Sequence, residues 1–237
     1  MRFKTMLPLF LAGSLLAMPQ AQAEGDKTGV LVGVDARQNS WYGYAGVTQH
    51  FGEHAYGDGI IGRLVGFSGQ YRYASNVASQ GGIDGDYTAL EALLGYQKVF
   101  TAFTLRGYAG LDYEGHQLSP ANPFDGNSGG HVGGKVRVDI ESDFAMPNYF
   151  NLIGTYGSAR DRYWVRGRAG RDFSGFVVGP ELMATGDRYA HEERYGVFVN
   201  VRQFLPAMLS ISAGQARTPA NSASVTPYAT MEFSMAF

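Results

Sequence analysis

The chain has 237 residues, of which 45% are hydrophobic and 17% charged, with 33 glycines, 15 tyrosines and 15 phenylalanines. This length fits one large all-β domain or two small domains. Abundant glycine and aromatic residues with few charges favour turns and β-strands over helices. The sequence contains no cysteine, which excludes a fold held by disulfides, and a formal charge of −2 gives no indication of a nucleic-acid partner.

The first residues, 1–23, have the pattern of a cleaved signal peptide. Arg2 and Lys4 form a positive start, residues 6–18 are apolar, and Ala21-Gln-Ala23 is a small-residue cleavage site. No later apolar run approaches the roughly 20 residues that a spanning helix needs. The mature domain, expected over 24–237, is then a soluble periplasmic or secreted protein, or a barrel in the outer membrane.

Two adjacent segments, 103–114 and 130–142, alternate apolar and polar side chains at every second residue. The first places Leu105 and Leu111 on one face and Arg106 and Asp112 on the other, and the second repeats the pattern. A helix does not give this separation, because its side chains recur every 3.6 residues. Both segments are therefore predicted to be strands with one polar face.

Extending this interpretation along the chain predicts twelve strands, with ten or fourteen as alternatives. The second and third strands are poorly phased, since Arg63 stands among Ile61, Val65 and Phe67, and a β-bulge or a register slip is the alternative there. The predicted strands are 28–35, 41–51, 59–73, 85–98, 102–114, 130–142, 149–158, 162–173, 175–185, 193–204, 207–215 and 225–237.

Alternation also occurs in soluble sandwiches, so other features must decide the class. Short connections near 99–101, 143–147, 173–175 and 205–207 alternate with mostly longer, polar ones, among them 115–128. Phenylalanines fall near the short connections and tyrosines near the long ones, as in the two aromatic girdles of membrane barrels. The sequence therefore predicts an all-β fold, a transmembrane antiparallel up-and-down β-barrel located in the outer membrane.

The end of the chain supports this class. Apolar residues occupy every second position up to the terminal phenylalanine, a pattern that resembles the recognition signal of outer-membrane barrels. We expect it to be the signal read by the barrel-assembly machinery, with outer-membrane lipids around the folded domain. Its residues are Met231, Phe233, Met235 and Phe237.

Charged residues on the polar face are predicted to line the barrel interior, here called the lumen. Because an unpaired buried ion is costly, one interpretation is a structural network of ion pairs. The other is a polar path for an uncharged, hydroxyl-rich solute, with a tryptophan ring stacking on a sugar face. The lumen-lining candidates are Arg106, Asp112, Glu114, Lys135, Arg137, Asp139, Glu141, Trp164, Arg166, Arg168, Glu181 and Arg202.

A series of motifs runs through roughly residues 30–200: Asp84-Gly-Asp-Tyr87, Leu94-Gly-Tyr-Gln97, the run from Tyr108 to Pro120, Tyr149 to Tyr156, Tyr163-Trp-Val-Arg166, Val177 to Glu181 and Arg194-Tyr-Gly-Val197. In the number and order of these motifs the chain resembles the cellulose biosynthesis protein BcsS family of alphaproteobacteria. The resemblance implies a non-enzymatic outer-membrane component of cellulose synthesis and secretion, either a conduit or a component that docks the secretion machinery, with cellulose or another β-glucan and the secretion components as partners. It supplies no catalytic residues.

Two other function classes stay open. An outer-membrane hydrolase would need a nucleophile, a base and an orienting group in contact, and the candidates are Ser119 or Ser128 with His116 or His131, oriented by Glu114. A structural or adhesive barrel would act through its loops, particularly 115–128 with Pro120, Pro123 and Asp125. The five histidines form no compact ligand set, so we expect no metal and no cofactor.

Overall fold

The computed structural model describes residues 27–52, 57–73, 82–119, 128–143, 145–188, 190–202, 207–218 and 225–237. The expected signal peptide and the loop residues Pro120, Pro123 and Asp125 lie outside these ranges. Within the ranges, no helix is long and apolar enough to cross a bilayer. Twelve strands are present there: β1 Thr28–Arg37, β2 Ser40–His50, β3 Gly59–Tyr73, β4 Ile83–Val99, β5 Phe103–Ser119, β6 Gly129–Ser142, β7 Asn148–Gly157, β8 Arg162–Asp172, β9 Phe176–Gly186, β10 His191–Val201, β11 Ala207–Arg217 and β12 Val225–Ala236.

The strands form one closed antiparallel barrel in which each pairs with its neighbours in sequence. The sheet closes where β1 pairs with β12, from Gly29 opposite Ala236 to Arg37 opposite Tyr228. Closure leaves no sheet edge with unpaired backbone groups, which is what a bilayer requires. The fold is therefore the predicted up-and-down transmembrane β-barrel, with the predicted strand number.

The two ends of the barrel differ. The end at which Thr28 and Phe237 are hydrogen-bonded is called the terminal end, and the opposite end is called the loop end. At the terminal end the β8–β9 turn is tight, with Ser174 (φ 59°) and Gly175 (φ 95°) both in left-handed conformation. At the loop end Asp161, in the β7–β8 turn, accepts hydrogen bonds from Arg188 and Tyr156. The Arg188 hydrogen bond is the largest of the interactions that hold the pKa of the Asp161 carboxyl below its usual value, ahead of the Tyr156 hydrogen bond.

Outward side chains are apolar over the middle of the barrel. On β6, Val136 and Val138 are 51% and 48% exposed, whereas Asp139, the next residue of the same strand and inward-facing, is only 7% exposed. Leu182 on β9 and Val197 on β10 are exposed in the same way. An apolar outer band around a polar interior is the arrangement of membrane-spanning barrels.

The second and third strands contain neither a bulge nor a slip. β2 pairs with β3 without interruption from Ser40–Tyr71 to His50–Ile61, and β3 pairs with β4 equally regularly. Their weak phasing has another cause: Ile61 and Val65 are inward and almost fully buried. Apolar side chains fill this part of the lumen, so both faces of β3 are apolar and the alternation disappears.

The β4–β5 hairpin extends further than the alternation predicts. β5 continues to Ser119, and its last residues pair with β4 as far as Asp84. The start of the predicted loop at residue 115 is therefore wrong. Beyond Tyr113 the outward residues of β5 are Gly115, Gln117 and Ser119, so the strand continues after its apolar outer face has ended.

Candidate functional site in the barrel lumen

A cavity of about 830 Å³ occupies the lumen. Its lining extends from Arg72 and Asp187 at the loop end to Arg106 and Ser234 near the terminal end. Ten of the twelve predicted lumen residues contribute to this lining: Arg106, Asp112, Glu114, Lys135, Arg137, Asp139, Glu141, Trp164, Arg166 and Arg168. The other two, Glu181 and Arg202, are 1% and 5% exposed and lie among inward side chains behind the lining.

The charges along the cavity are balanced. Among the described residues, the lining includes ten arginine or lysine side chains and nine aspartate or glutamate side chains. A pore that selects anions or cations concentrates one sign of charge along its path. This lining therefore presents many hydrogen-bonding groups without a strong preference for charged solutes.

One wall of the lumen, formed by β3 to β6, holds a chain of ion pairs. Glu91 accepts from Arg63 Nε at 3.2 Å and from Lys135 Nζ at 2.9 Å. On β6, Arg137 Nε lies 2.8 Å from Asp139 Oδ1. These pairs keep buried charges compensated and orient the long side chains along the wall.

Other polar contacts link strands that are not neighbours in the sheet. Glu232 on β12 accepts a 2.7 Å hydrogen bond from the hydroxyl of Tyr44 on β2, and it lies 3.9 Å from Arg166 Nη2 on β8. Arg194 on β10 donates to Asp35 on β1 at 2.6 Å. The network therefore constricts the cavity by contacts across its width.

Near the terminal end the lumen is packed more densely. Arg168 donates to Glu181 at 2.5 Å and stacks over the ring of Phe198 at 5.1 Å. Phe198, Tyr149 and Val177 form a buried apolar cluster. The polar pairs in this region are enclosed by aromatic rings.

Aromatic side chains alternate with arginines on the inward face of β8 and on the strands opposite it. The guanidinium of Arg166 lies 5.4 Å from the centre of the Trp164 ring, and that of Arg162 lies 5.2 Å from the centre of the Tyr87 ring. Trp164 thus lines the cavity beside a hydrogen-bond donor. Flat rings next to donors and carboxylates are the groups that recognise sugars, whose faces are apolar and whose edges carry hydroxyls.

Sequence reasoning missed several lining residues. Asp35 and Arg194 lie at strand ends, and Tyr42 and Tyr44 belong to a strand whose phase the sequence leaves open. The structure places Tyr42 and Tyr44 on the inward face of β2, opposite Asp35 and Gly33 of β1, and this pairing is not readable from the sequence of β2 alone. The full set of missed lining residues discussed here is Asp35, Tyr42, Tyr44, Tyr71, Tyr87, Arg162 and Arg194.

The proposed hydrolase residues are only partly brought together. His116 Nε2 lies 4.0 Å from Glu114 Oε2, and its Nδ1 is hydrogen-bonded to the hydroxyl of Tyr71 at 2.9 Å. Ser119, on the same strand, has the opposite parity and is exposed, as is Ser128. Because alternate residues of a strand point to opposite faces, β5 does not present Ser119 to His116. No cluster among the described residues has three histidine or acidic ligands placed for a metal ion.

The apolar residues of the C-terminal pattern lie on β12, with Met231 half exposed on the outward face. The strand pairs with both β1 and β11. After it, the Phe237 backbone exchanges two 2.9 Å hydrogen bonds with Thr28. The end of the chain is thus part of the barrel seam.

Solved membrane barrels have the same general architecture. The TodX deltaS2S3 mutant, a monoaromatic hydrocarbon channel, is 9% identical with a TM-score of 0.50, over 89% of this chain and 90% of that chain. The KdgM porin is 10% identical (TM-score 0.47; 88% and 99% covered), and LpxR from Salmonella typhimurium is 11% identical (TM-score 0.48; 88% and 100% covered). At 9% identity the likeness to the TodX mutant shows the barrel fold alone.

No curated protein matches the sequence. A family model described as cellulose biosynthesis protein BcsS matches residues 30–237, which is nearly the whole predicted mature domain. The match confirms the resemblance found in the sequence motifs. The chain belongs to the cellulose biosynthesis protein BcsS family.

Proposed function

We propose that this protein is a non-enzymatic outer-membrane barrel that supports cellulose export by holding a segment of β-glucan in its lumen. The observation that supports this proposal is the cavity of about 830 Å³, with balanced charge and aromatic rings along its wall. Cellulose is uncharged and rich in hydroxyls. Its passage calls for hydrogen-bond donors and acceptors and for flat apolar surfaces, without a net charge of either sign.

A barrel with this role has its terminal end in the periplasm. Short connections and both termini face the periplasm in outer-membrane barrels, so the loop end faces the outside. Phe237 and the alternate apolar residues of β12 present the signal to the barrel-assembly machinery, and outer-membrane lipids contact the apolar band. Cellulose secretion components approach from the periplasmic side.

Deletion of the gene tests the role in export. We expect intracellular glucan synthesis to continue while cellulose at the cell surface falls strongly, because the lesion lies after polymerisation. The two quantities are measured separately in the deletion strain and in the same strain complemented with the wild-type gene. Unchanged surface cellulose in the deletion strain would contradict the proposal.

Conductance of the purified barrel in planar bilayers tests the lumen itself. We expect discrete current steps that soluble cello-oligosaccharides reduce, because a glucan segment in the cavity displaces conducting water and ions. Malto-oligosaccharides of equal length, which differ from cello-oligosaccharides only in the glycosidic linkage, are the control for the reduction in current. A barrel that shows no steps under any condition favours the structural or adhesive alternative.

A further inference from the structure

The loop end of β3, β4 and β5 continues beyond the apolar band. Outward residues here are polar, such as Gln70 and Asp86, whose side chains are joined by a 2.9 Å hydrogen bond. The inward face is different, because it carries the aromatic rings of Tyr71, Tyr73 and Tyr87. The three strands therefore form a wall at the mouth of the lumen whose inner surface is aromatic.

Five side chains at this mouth make one connected cluster, called the mouth cluster: Tyr71, Tyr87, Glu114, His116 and Arg162. The His116 ring lies 5.1 Å from the Tyr87 ring and 5.6 Å from the Tyr71 ring, measured between centres. Arg162, on the distant strand β8, stacks over Tyr87 at 5.2 Å and approaches Glu114 Oε2 to 3.3 Å. All five line the cavity.

Close packing holds the aromatic part of the cluster in place. A Cβ atom added to Gly85 would lie 2.3 Å from Cζ of Tyr71, so the Tyr71 ring lies directly against the backbone of β4. The hydroxyl of Tyr71 is fixed by Nδ1 of His116 at 2.9 Å. The rings are thus preorganised, which reduces the entropy lost when a ligand binds.

Several buried polar atoms on the inward face of β5 make no hydrogen bond within the described part of the protein: Nε2 of His116, Oε2 of Glu114 and both carboxylate oxygens of Asp112. Glu114 and Asp112 do have ion-pair partners, Arg162 at 3.3 Å from Glu114 Oε2 and Lys135 at 3.9 Å from Asp112 Oδ2. The side chains of His116, Glu114 and Asp112 are 6%, 2% and 3% exposed, and all line the cavity. Buried polar atoms in native proteins nearly always have hydrogen-bond partners, so these atoms are ones that water or the hydroxyl groups of a ligand in the cavity would satisfy.

We infer that the mouth cluster, together with Asp112, is a saccharide-binding site that takes glucose units of an uncharged β-glucan. This inference rests on the proposed function and assigns the contact residues within it. Sugar hydroxyls donate hydrogen bonds to Glu114 and Asp112, which are acceptors when ionised. Another sugar hydroxyl forms a hydrogen bond with His116 Nε2, as donor or acceptor according to the histidine tautomer. Tyr87 and Tyr71 present the apolar surface for the sugar ring, and Arg162 donates to ring or hydroxyl oxygens.

Binding of cellohexaose to the purified full-length barrel in detergent tests the site. We expect Tyr87→Leu and Glu114→Gln each to weaken binding about tenfold or more, as loss of a central contact residue does in buried binding sites. Tyr195→Leu and Glu193→Gln are matched controls, because both residues lie on the outward face of β10 near the same end. Heat-modifiability on gels verifies that each variant has folded.

The outcomes separate the site from the proposed function. Weakened binding in the two site variants, with unchanged binding in the controls, supports the site. Wild-type affinity in folded Tyr87→Leu and Glu114→Gln variants overturns the site, while cellohexaose binding by the barrel would still support the conduit. Equal binding of cellohexaose, maltohexaose and oligogalacturonate overturns the assignment to an uncharged β-glucan. The deletion experiment described above tests the export role independently of these results.

Discussion

Val138→Arg is expected to lower the free energy of unfolding from a bilayer by about 2–4 kcal/mol, the cost of a basic side chain facing mid-membrane lipid. Val138 lies near the middle of the lipid-facing side of β6 and is 48% exposed. An arginine at position 138 cannot turn its side chain into the lumen, because the alternation of the strand directs this side chain outward. The measurement is denaturant unfolding of the barrel reconstituted in phospholipid vesicles, supported by the heat-modifiable band in membrane fractions.

Val132→Arg is the matched control for this prediction. Val132 is on the same face of the same strand, close to its loop end, and is 72% exposed. A basic residue near the membrane surface costs only about 0–1 kcal/mol. Equal damage from Val132→Arg and Val138→Arg would show that the loss does not depend on depth and would contradict lipid exposure of this face.

The sequence alone predicts most of the barrel, because the two faces of each strand have different surroundings. The outer face meets lipid and is apolar, and the inner face lines the lumen and carries charged residues. The resulting alternation is clear on β5 and β6, and the number of strands follows from it. The alternation reports the membrane-crossing part of a strand and not the whole strand. For this reason the alternation predicts that β5 ends at residue 114, whereas in the structure the strand remains paired with β4 up to Ser119.

The same reason limits what the sequence shows of the site. Glu114 and Arg166 are identified as inward by parity alone, but their partners are not, since contacts across the lumen depend on the closure of the barrel. The approach of Arg162 on β8 to Tyr87 on β4 joins residues that are far apart in the sheet order. The alternation predicts a loop at His116, although the residue lies on β5, because the strand around it extends beyond the apolar band.

Glu181→Leu is expected to destabilise the barrel by about 3–5 kcal/mol, the usual cost of leaving one member of a buried ion pair without its partner. Glu181 is 1% exposed and accepts hydrogen bonds from Arg168 Nε at 2.5 Å and from the Tyr228 hydroxyl at 2.9 Å. After the substitution, Arg168 retains Ser210 Oγ at 2.8 Å and the ring of Phe198, but it loses the carboxylate with which it forms an ion pair. Denaturant unfolding in detergent micelles measures the loss.

A second variant separates charge compensation from packing in this pair. Replacing both members, with Arg168→Met and Glu181→Leu together, removes the buried charge and fills the space with apolar atoms, which in other proteins is close to neutral. We therefore expect the double variant to recover most of the stability that Glu181→Leu loses. If the double variant is as unstable as the single one, Glu181 acts mainly by positioning Tyr228, and the ion pair is not what holds the terminal end of the lumen together. Recovery would show that Arg168 and Glu181 compensate each other's charge, since the two side chains are only 5% and 1% exposed and lie beside the apolar cluster of Phe198, Tyr149 and Val177.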